Sequence, residues 1–188
     1  MHGRHDRARI APNRIGIEIE AALAFGTGHH GTTRGCLVAL DALAKRTRLR
    51  RVLDVGTGSG VLAIAAAKIS RRAVLASDID PLAVRAAREN TRRNGVATLV
   101  GLIQASSLAA HRFHQAGRFD LVLANILLSP LRRLATPLAR LITADAHVVL
   151  SGLLPAHARA AIATYRARGF VIRQRILLDG WVTLVMRR

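Results

Sequence analysis

Two acidic residues, three glycines and one asparagine carry the chemistry open to this chain. Asp54 precedes Gly56, Gly58 and Gly60, and Asp78 stands twenty-two positions after Gly56, at the end of a second apolar run. A glycine turn lets a ligand approach the backbone closely, and an acidic residue at the end of the next strand can hold a ribose diol. Together they point to a cofactor that carries a nucleoside. Asn125 closes a later apolar run, Phe119 to Ala124. Its carboxamide can accept hydrogen bonds from an attacking amine and orient the lone pair.

These groups can meet only if strands and helices alternate and the strands run parallel. The pattern predicts strands over 52–55, 73–78, 98–103, 119–124 and 147–150, with helices over 33–44, 60–69, 81–93, 128–141 and 155–168 between or around them. Asp80-Pro81 reads as N-cap and first-turn proline, and Asn94-Gly95 as the stop of that helix. Residues 170–177 and 181–186 pair as a hairpin about Asp179-Gly180. Residues 14–20 alternate apolar and polar as a half-buried strand. The fold class is therefore α/β, a doubly wound, mostly parallel sheet with an antiparallel C-terminal edge hairpin.

Composition sets the outer bounds. At 188 residues the chain is long enough for one domain with a substantial core. No apolar run approaches the twenty or so residues needed to span a bilayer, so a membrane role is not expected. The charged start, Met1 to Arg7, lacks the apolar core of a secretory signal, and the single cysteine, Cys36, has no internal partner. Both features fit a reducing cytoplasm. The net charge is +18, and every basic residue except Lys45 and Lys68 is arginine. Such a field attracts RNA and acidic surfaces, which keeps direct nucleic-acid binding open, although 3% aromatics leaves few stacking platforms. His29-His30 and the pair His111 and His114 lack a third ligand at suitable spacing, so no metal site is expected.

The loop 25–33, Phe-Gly-Thr-Gly-His-His-Gly-Thr-Thr, is the second candidate element. Gly26 and Gly28 lend flexibility, Thr27, Thr32 and Thr33 supply hydroxyls, and the loop could close over a bound cofactor. After the third strand, Gln104 or Ser106 stands where an acidic adenine ligand is common.

The spacing Gly56-x-Gly58-x-Gly60 is one residue tighter than the dinucleotide fingerprint. With Asp54 ahead of it, it resembles motif I of class I S-adenosyl-L-methionine methyltransferases. There the amino acid part of the cofactor lies along the glycine turn, and an acidic residue such as Asp54 suits its ammonium group. Amino methyltransferases often carry Asn/Asp-Pro-Pro-aromatic after the fourth strand. Here Asn125-Ile126-Leu127-Leu128 has no aromatic, which weakens a nucleobase acceptor.

Five stretches together resemble the ribosomal protein L11 methyltransferase (PrmA) family. They are Phe25-Gly26-Thr27-Gly28-x-His30-x-Thr32-Thr33, the Leu53-to-Ala66 turn region, Asp78-Ile79-Asp80-Pro81, Ala124-Asn125-Ile126-Leu127 and Leu150-Ser151-Gly152-Leu153. Trp181-Val182 adds to them. The resemblance implies a class I Rossmann-like fold and methylation of lysine and N-terminal amines on that large-subunit ribosomal protein. It places the cofactor on Thr33, Gly56, Asp78 and Asn125, with Asp54, Gly58, Phe25 and Thr27 as further contacts and Asn125 as the catalytic group. It also implies residues 1–30 as an N-terminal strand and lid region, 31–188 as the methyltransferase domain, and a separate N-terminal substrate-recognition domain lying outside this sequence. A methyltransferase acting on RNA or a small molecule is the alternative. A cofactor-binding remnant without a substrate and a nicotinamide dehydrogenase are weaker ones.

Overall fold

The computed structural model describes residues 14–19 and 30–188. Thirteen elements follow in order: α1 (Gly31–Ala44), β1 (Val52–Val55), α2 (Val61–Ser70), β2 (Val74–Asp78), α3 (Pro81–Arg93), β3 (Val100–Gln104), α4 (His111–Gln115), β4 (Phe119–Asn125), α5 (Leu128–Leu141), β5 (Ile142–Leu153), α6 (Pro155–Arg166), β6 (Val171–Leu178) and β7 (Trp181–Arg187). The seven strands form one sheet in the order β3-β2-β1-β4-β5-β7-β6. The first five run parallel, and β7 and β6 are antiparallel to their neighbours.

Strands covered on both faces are mostly apolar, and β1 is buried at all four positions, Asp54 included. Its side chains divide between two cores. Leu53 and Val55 join Val122, Leu131, Leu138 and Tyr165 under α5 and α6. Val52 joins Cys36, Leu40, Ile64 and Leu121 under α1 and α2. The Tyr165 hydroxyl donates to the Leu131 carbonyl at 3.0 Å and so ties α6 to α5 inside the first core. Helix α3 begins as its sequence demands: the Asp80 carboxylate accepts the Leu82 N–H at 2.8 Å and Pro81 occupies the first turn.

Two expectations need correction. Residues 14–19 contribute no strand to the sheet, only a single bridge position at Glu18. Ile17 is buried against the α1–α2 core, and the Asn94 carboxamide takes both main-chain groups of Glu18, accepting its N–H at 3.0 Å and donating to its carbonyl at 2.7 Å. A side chain thus stands in for a neighbouring strand. Strand β5 begins at Ile142 rather than near His147, because Ile142 pairs with Phe119 across a bulge. The segment about His111 and His114 forms the short helix α4, pinned by a wholly buried Phe113. Five residues are too few to show a helical period.

The β1–α2 turn is held by Asp54. Its Oδ2 accepts the Thr57 hydroxyl at 2.6 Å and the Ala63 N–H at 3.1 Å, while Oδ1 is buried without a partner. Gly56, Gly58 and Gly60 all have positive φ, and Gly60 lies against Ala87 so closely that a Cβ would meet that methyl at 3.0 Å. Burial pushes the Asp54 carboxyl up to about 7, against the two donors that favour its charged form and with help from the nearby charge of Asp78.

A proton bound in the folded state and lost in the unfolded one stabilises the fold at low pH. For a carboxyl raised in this way, that contribution is complete below the unfolded value near 4 and is lost as pH rises through about 7. Asp54→Asn removes the titration. Urea unfolding from pH 4 to 8 should show the wild type losing on the order of a few kcal/mol relative to this variant. Parallel stability curves would show that Asp54 stays ionised. At Gly152, φ is +81° and a Cβ would lie 2.5 Å from the Ile126 carbonyl oxygen. Gly152→Ala should therefore cost roughly 1–3 kcal/mol in the same assay.

Candidate active site

The strand order turns back on itself between β1 and β4, and ligands of such sheets bind beyond the carboxyl ends at that point. A cavity of about 840 Å³ opens there. Its floor is the glycine turn, its sides the ends of β2 and β4, and its apolar lining includes Ile79, Leu108, Phe113, Ile126 and Leu127.

Asp78 ends β2 at the cavity. Its Oδ2 accepts the Gly58 N–H at 2.9 Å and its Oδ1 accepts the Asp80 N–H at 3.1 Å. Each oxygen keeps a further lone pair for a ligand hydroxyl. The carboxylate therefore fastens the first glycine turn to the second strand end while still facing the cavity. Gly56 and Gly58 also line it. The Gly56 and Thr57 N–H groups are engaged by the Ser77 carbonyl at 2.9 and 3.0 Å, which fixes the turn.

Asp54 does not line the cavity. Its side chain is 1% exposed and works from beneath, through Thr57 and Ala63. In this structure Asp54 acts on the turn, because the strand's alternation aims its side chain at α2 rather than at the ligand end.

Asn125 ends β4, and its Nδ2 donates to the Thr33 hydroxyl at 3.3 Å. Thr33 itself is buried in the first turn of α1, which starts at Gly31 with His30 as N-cap, two residues earlier than expected. The bond leaves the Asn125 carbonyl oxygen as the end of the carboxamide able to accept. Thr33 and Asn125 both line the cavity. Phe25 and Thr27 lie outside the described residues, as does the rest of the loop before His30. Ser106 and Ser107 line the cavity, whereas Gln104 is exposed and donates to the Ile79 carbonyl at 3.3 Å.

The lining residues given no site role in the sequence include His30, Phe113 and Trp181. His30 shares a hydrogen bond with the Thr32 hydroxyl at 3.0 Å and packs its ring on Trp181, with centroids 4.9 Å apart. Trp181 had a readable signal. An antiparallel strand starts where its parallel neighbours end, so the first residue of β7 stands at the ligand end of the sheet. Among the described residues no group of three His, Cys, Asp or Glu side chains comes together as a metal site.

The charge is unevenly arranged. Arg132, Arg133, Arg140, Arg159 and Arg166 are exposed on α5 and α6, and neither helix contains a carboxylate. A shallow cleft of about 280 Å³ between Ser129, Arg132, Arg133 and Thr164 opens on this face, and Arg133 also reaches the main cavity. No described helix is long and apolar enough to cross a membrane.

Comparison with known proteins agrees with this geometry. Residues 2–188 match the family described as Ribosomal protein L11 methyltransferase (PrmA). A protein of that name from Bradyrhizobium diazoefficiens is 60% identical over the whole chain, and one from Rhodopseudomonas palustris is 56% identical. The chain spans 64% of the length of each. Among solved structures, a ribosomal protein L11 methylase from Lactobacillus delbrueckii subsp. bulgaricus superposes with a TM-score of 0.82 at 34% identity, over 92% of this chain and 84% of that one. A precorrin-6y C5,15-methyltransferase from Geobacter metallireducens, at TM-score 0.70 and 16% identity, shares the fold alone. The doubly wound sheet, the glycine turn bridged by Asp78 and the full-length family match lead to one conclusion: this chain belongs to the ribosomal protein L11 methyltransferase (PrmA) family.

Proposed function

We propose that this chain binds S-adenosyl-L-methionine in the cavity at the β1/β4 switch point and transfers its methyl group to lysine and N-terminal amines of ribosomal protein L11, in the cytoplasm. The observation that carries the proposal is the Asp78 carboxylate, oriented by two backbone N–H groups at the mouth of a glycine turn. The donor set fits the cofactor. Asp78 suits the ribose diol; Ile79, Leu108 and Phe113 offer apolar surface for the adenine; Gly56, Gly58 and Thr33 border the space for the amino acid part. About 840 Å³ is within the usual range for a site of this kind. Residues 31–188 then form the methyltransferase domain.

When bound, S-adenosyl-L-methionine supplies a methyl group activated by a sulfonium, and displacement there needs positioning more than acid–base help. The acceptor must arrive as a neutral amine, although a free lysine holds its proton to about pH 10.4. Apolar Ile126 and Leu127 beside Asn125 disfavour the charged form by desolvation. Thr33 holds the Asn125 amide nitrogen, so its carbonyl oxygen accepts an amine N–H and turns the lone pair inward. Water takes the proton.

The arginine face of α5 and α6 favours a second reading, an RNA acceptor. Phosphates would neutralise a face that has no carboxylate in either helix.

Calorimetry with S-adenosyl-L-methionine should give binding that Asp78→Asn weakens about 10-fold to 100-fold, as expected when a charged hydrogen-bond acceptor is lost. Undiminished binding would move the ribose elsewhere. Asn125→Ala should keep cofactor affinity within about tenfold while methyl transfer to purified ribosomal protein L11 falls roughly a hundredfold or more. With labelled cofactor offered both acceptors, label on RNA instead of protein would select the second reading.

A further inference from the structure

Asn125-Ile126-Leu127-Leu128 supplies no aromatic to the acceptor side of the cavity, yet the structure brings one from elsewhere. We propose that Trp181, the first residue of β7, is the aromatic wall of the acceptor site and receives the positive charge that develops on the methylated amine. This rests on the amine-methylation reading above.

Sheet order places the residue. Asn125 pairs with Ser151 on β5, and Leu153, two residues on, pairs with Val182 on β7. Asn125 and Trp181 therefore stand at the same end of the sheet, two strands apart, roughly 10 Å at the usual spacing. Both border the cavity, and Gly152 borders it between them. At Gly152 a side chain would strike the Ile126 backbone, so the floor between Asn125 and Trp181 stays bare.

The indole rests against one ring, and the strand that carries it is tied to its neighbours on either side. His30 packs against it at 4.9 Å between centroids. Arg34 on α1 bridges to Asp179 at 2.9 Å, fixing the hairpin turn just before it. Asp179 and Gly180 both take positive φ, the two-residue turn that matches strand twist and starts β7 at Trp181. Behind it, the Thr183 and Ser151 hydroxyls join at 2.7 Å and Ser151 reaches the Thr32 carbonyl at 3.1 Å, tying β7 to β5 and α1. Such anchoring is more than a half-buried surface ring needs.

The chemistry gives this ring a task. The amine lone pair forms a bond to the methyl carbon, the carbon–sulfur bond breaks, and its electron pair stays on sulfur, which becomes a neutral thioether. Positive charge passes to nitrogen until a proton leaves to water. An aromatic face stabilises such a cation, indole most strongly. Among the described residues nothing else aromatic borders the cavity except His30 and the fully buried Phe113.

Trp181 is the only tryptophan of the chain, so its fluorescence reports the site directly. The protein, with S-adenosylhomocysteine present, is titrated with trimethyllysine amide and separately with the neutral analogue bearing a tert-butyl group in place of trimethylammonium. The expected result is a saturable emission change for the cation, at about 5-fold to 30-fold higher affinity than for the analogue. Equal responses, or none, overturn the proposal. In methyl transfer to ribosomal protein L11, Trp181→Phe should keep kcat within about threefold. Trp181→Leu, checked for folding by urea titration, should lower kcat about tenfold; an unchanged kcat in the Leu variant also overturns the proposal. If the wild type leaves the ribosomal protein unmethylated while emission still favours the cation, the acceptor proposed above fails and the role of Trp181 stands.

Discussion

Ile126 sits between two glycines that have no room for a Cβ. At Gly56 an added carbon would lie 2.2 Å from the Ile126 side chain, and at Gly152 it would lie 2.5 Å from the Ile126 carbonyl oxygen. This close approach brings the exits of β1, β4 and β5 together at the point where the sheet reverses its order. A parallel sheet alone leaves its strand ends diverging with the twist. Here the first turn of the β4–α5 connection is packed down onto both neighbours, and that sets where Asn125 and Leu127 can stand. The floor of the cavity follows from sterics before any ligand group is considered.

Two carboxylates within this frame have separate duties because their surroundings differ. Asp54 is sealed beneath the glycine turn, holds a hydroxyl and a backbone N–H, and is pushed up to about 7 by burial. Asp78, twenty-four residues later, is partly exposed and takes N–H groups from both turns that border the cavity. The first residue shapes the turn, and the second presents a charged acceptor that the turn has already oriented. Both residues are needed, one for the support and one for the surface.

Much of this was legible in the residues. Strand β1 and helix α5 run over the expected residues, and β2 ends at Asp78, because Gly56, Asp80-Pro81 and the apolar runs are strong local punctuation. The sheet's antiparallel edge was legible from Asp179-Gly180. What could not be read were features set by distant partners. The Glu18 segment looked like a strand because its alternation is real, but its polar groups are met by the Asn94 side chain. The placement of Asp54 beneath the turn could not be read either, because motif spacing does not reveal which face of β1 a side chain takes until the neighbouring helix is placed. Helix α4 depends on Phe113 reaching the core, a tertiary fact.

The C-terminal hairpin has the same lesson for function. As an edge element it could serve only to close the sheet, and β6 shows that role, with an exposed face carrying Arg173 and Arg175 that discourages further pairing. Strand β7 differs because reversal of direction puts its beginning, not its end, at the ligand side. A parallel strand in that position would instead present its last residue, as β2 does with Asp78 and β4 with Asn125. Register is a stiffer constraint than loop geometry, since slipping by one residue would turn Thr183 away from Ser151 and Val185 out of the α1–α2 core. The antiparallel edge thus puts the first residue of β7, and with it an aromatic ring in a chain with few of them, beside the cavity.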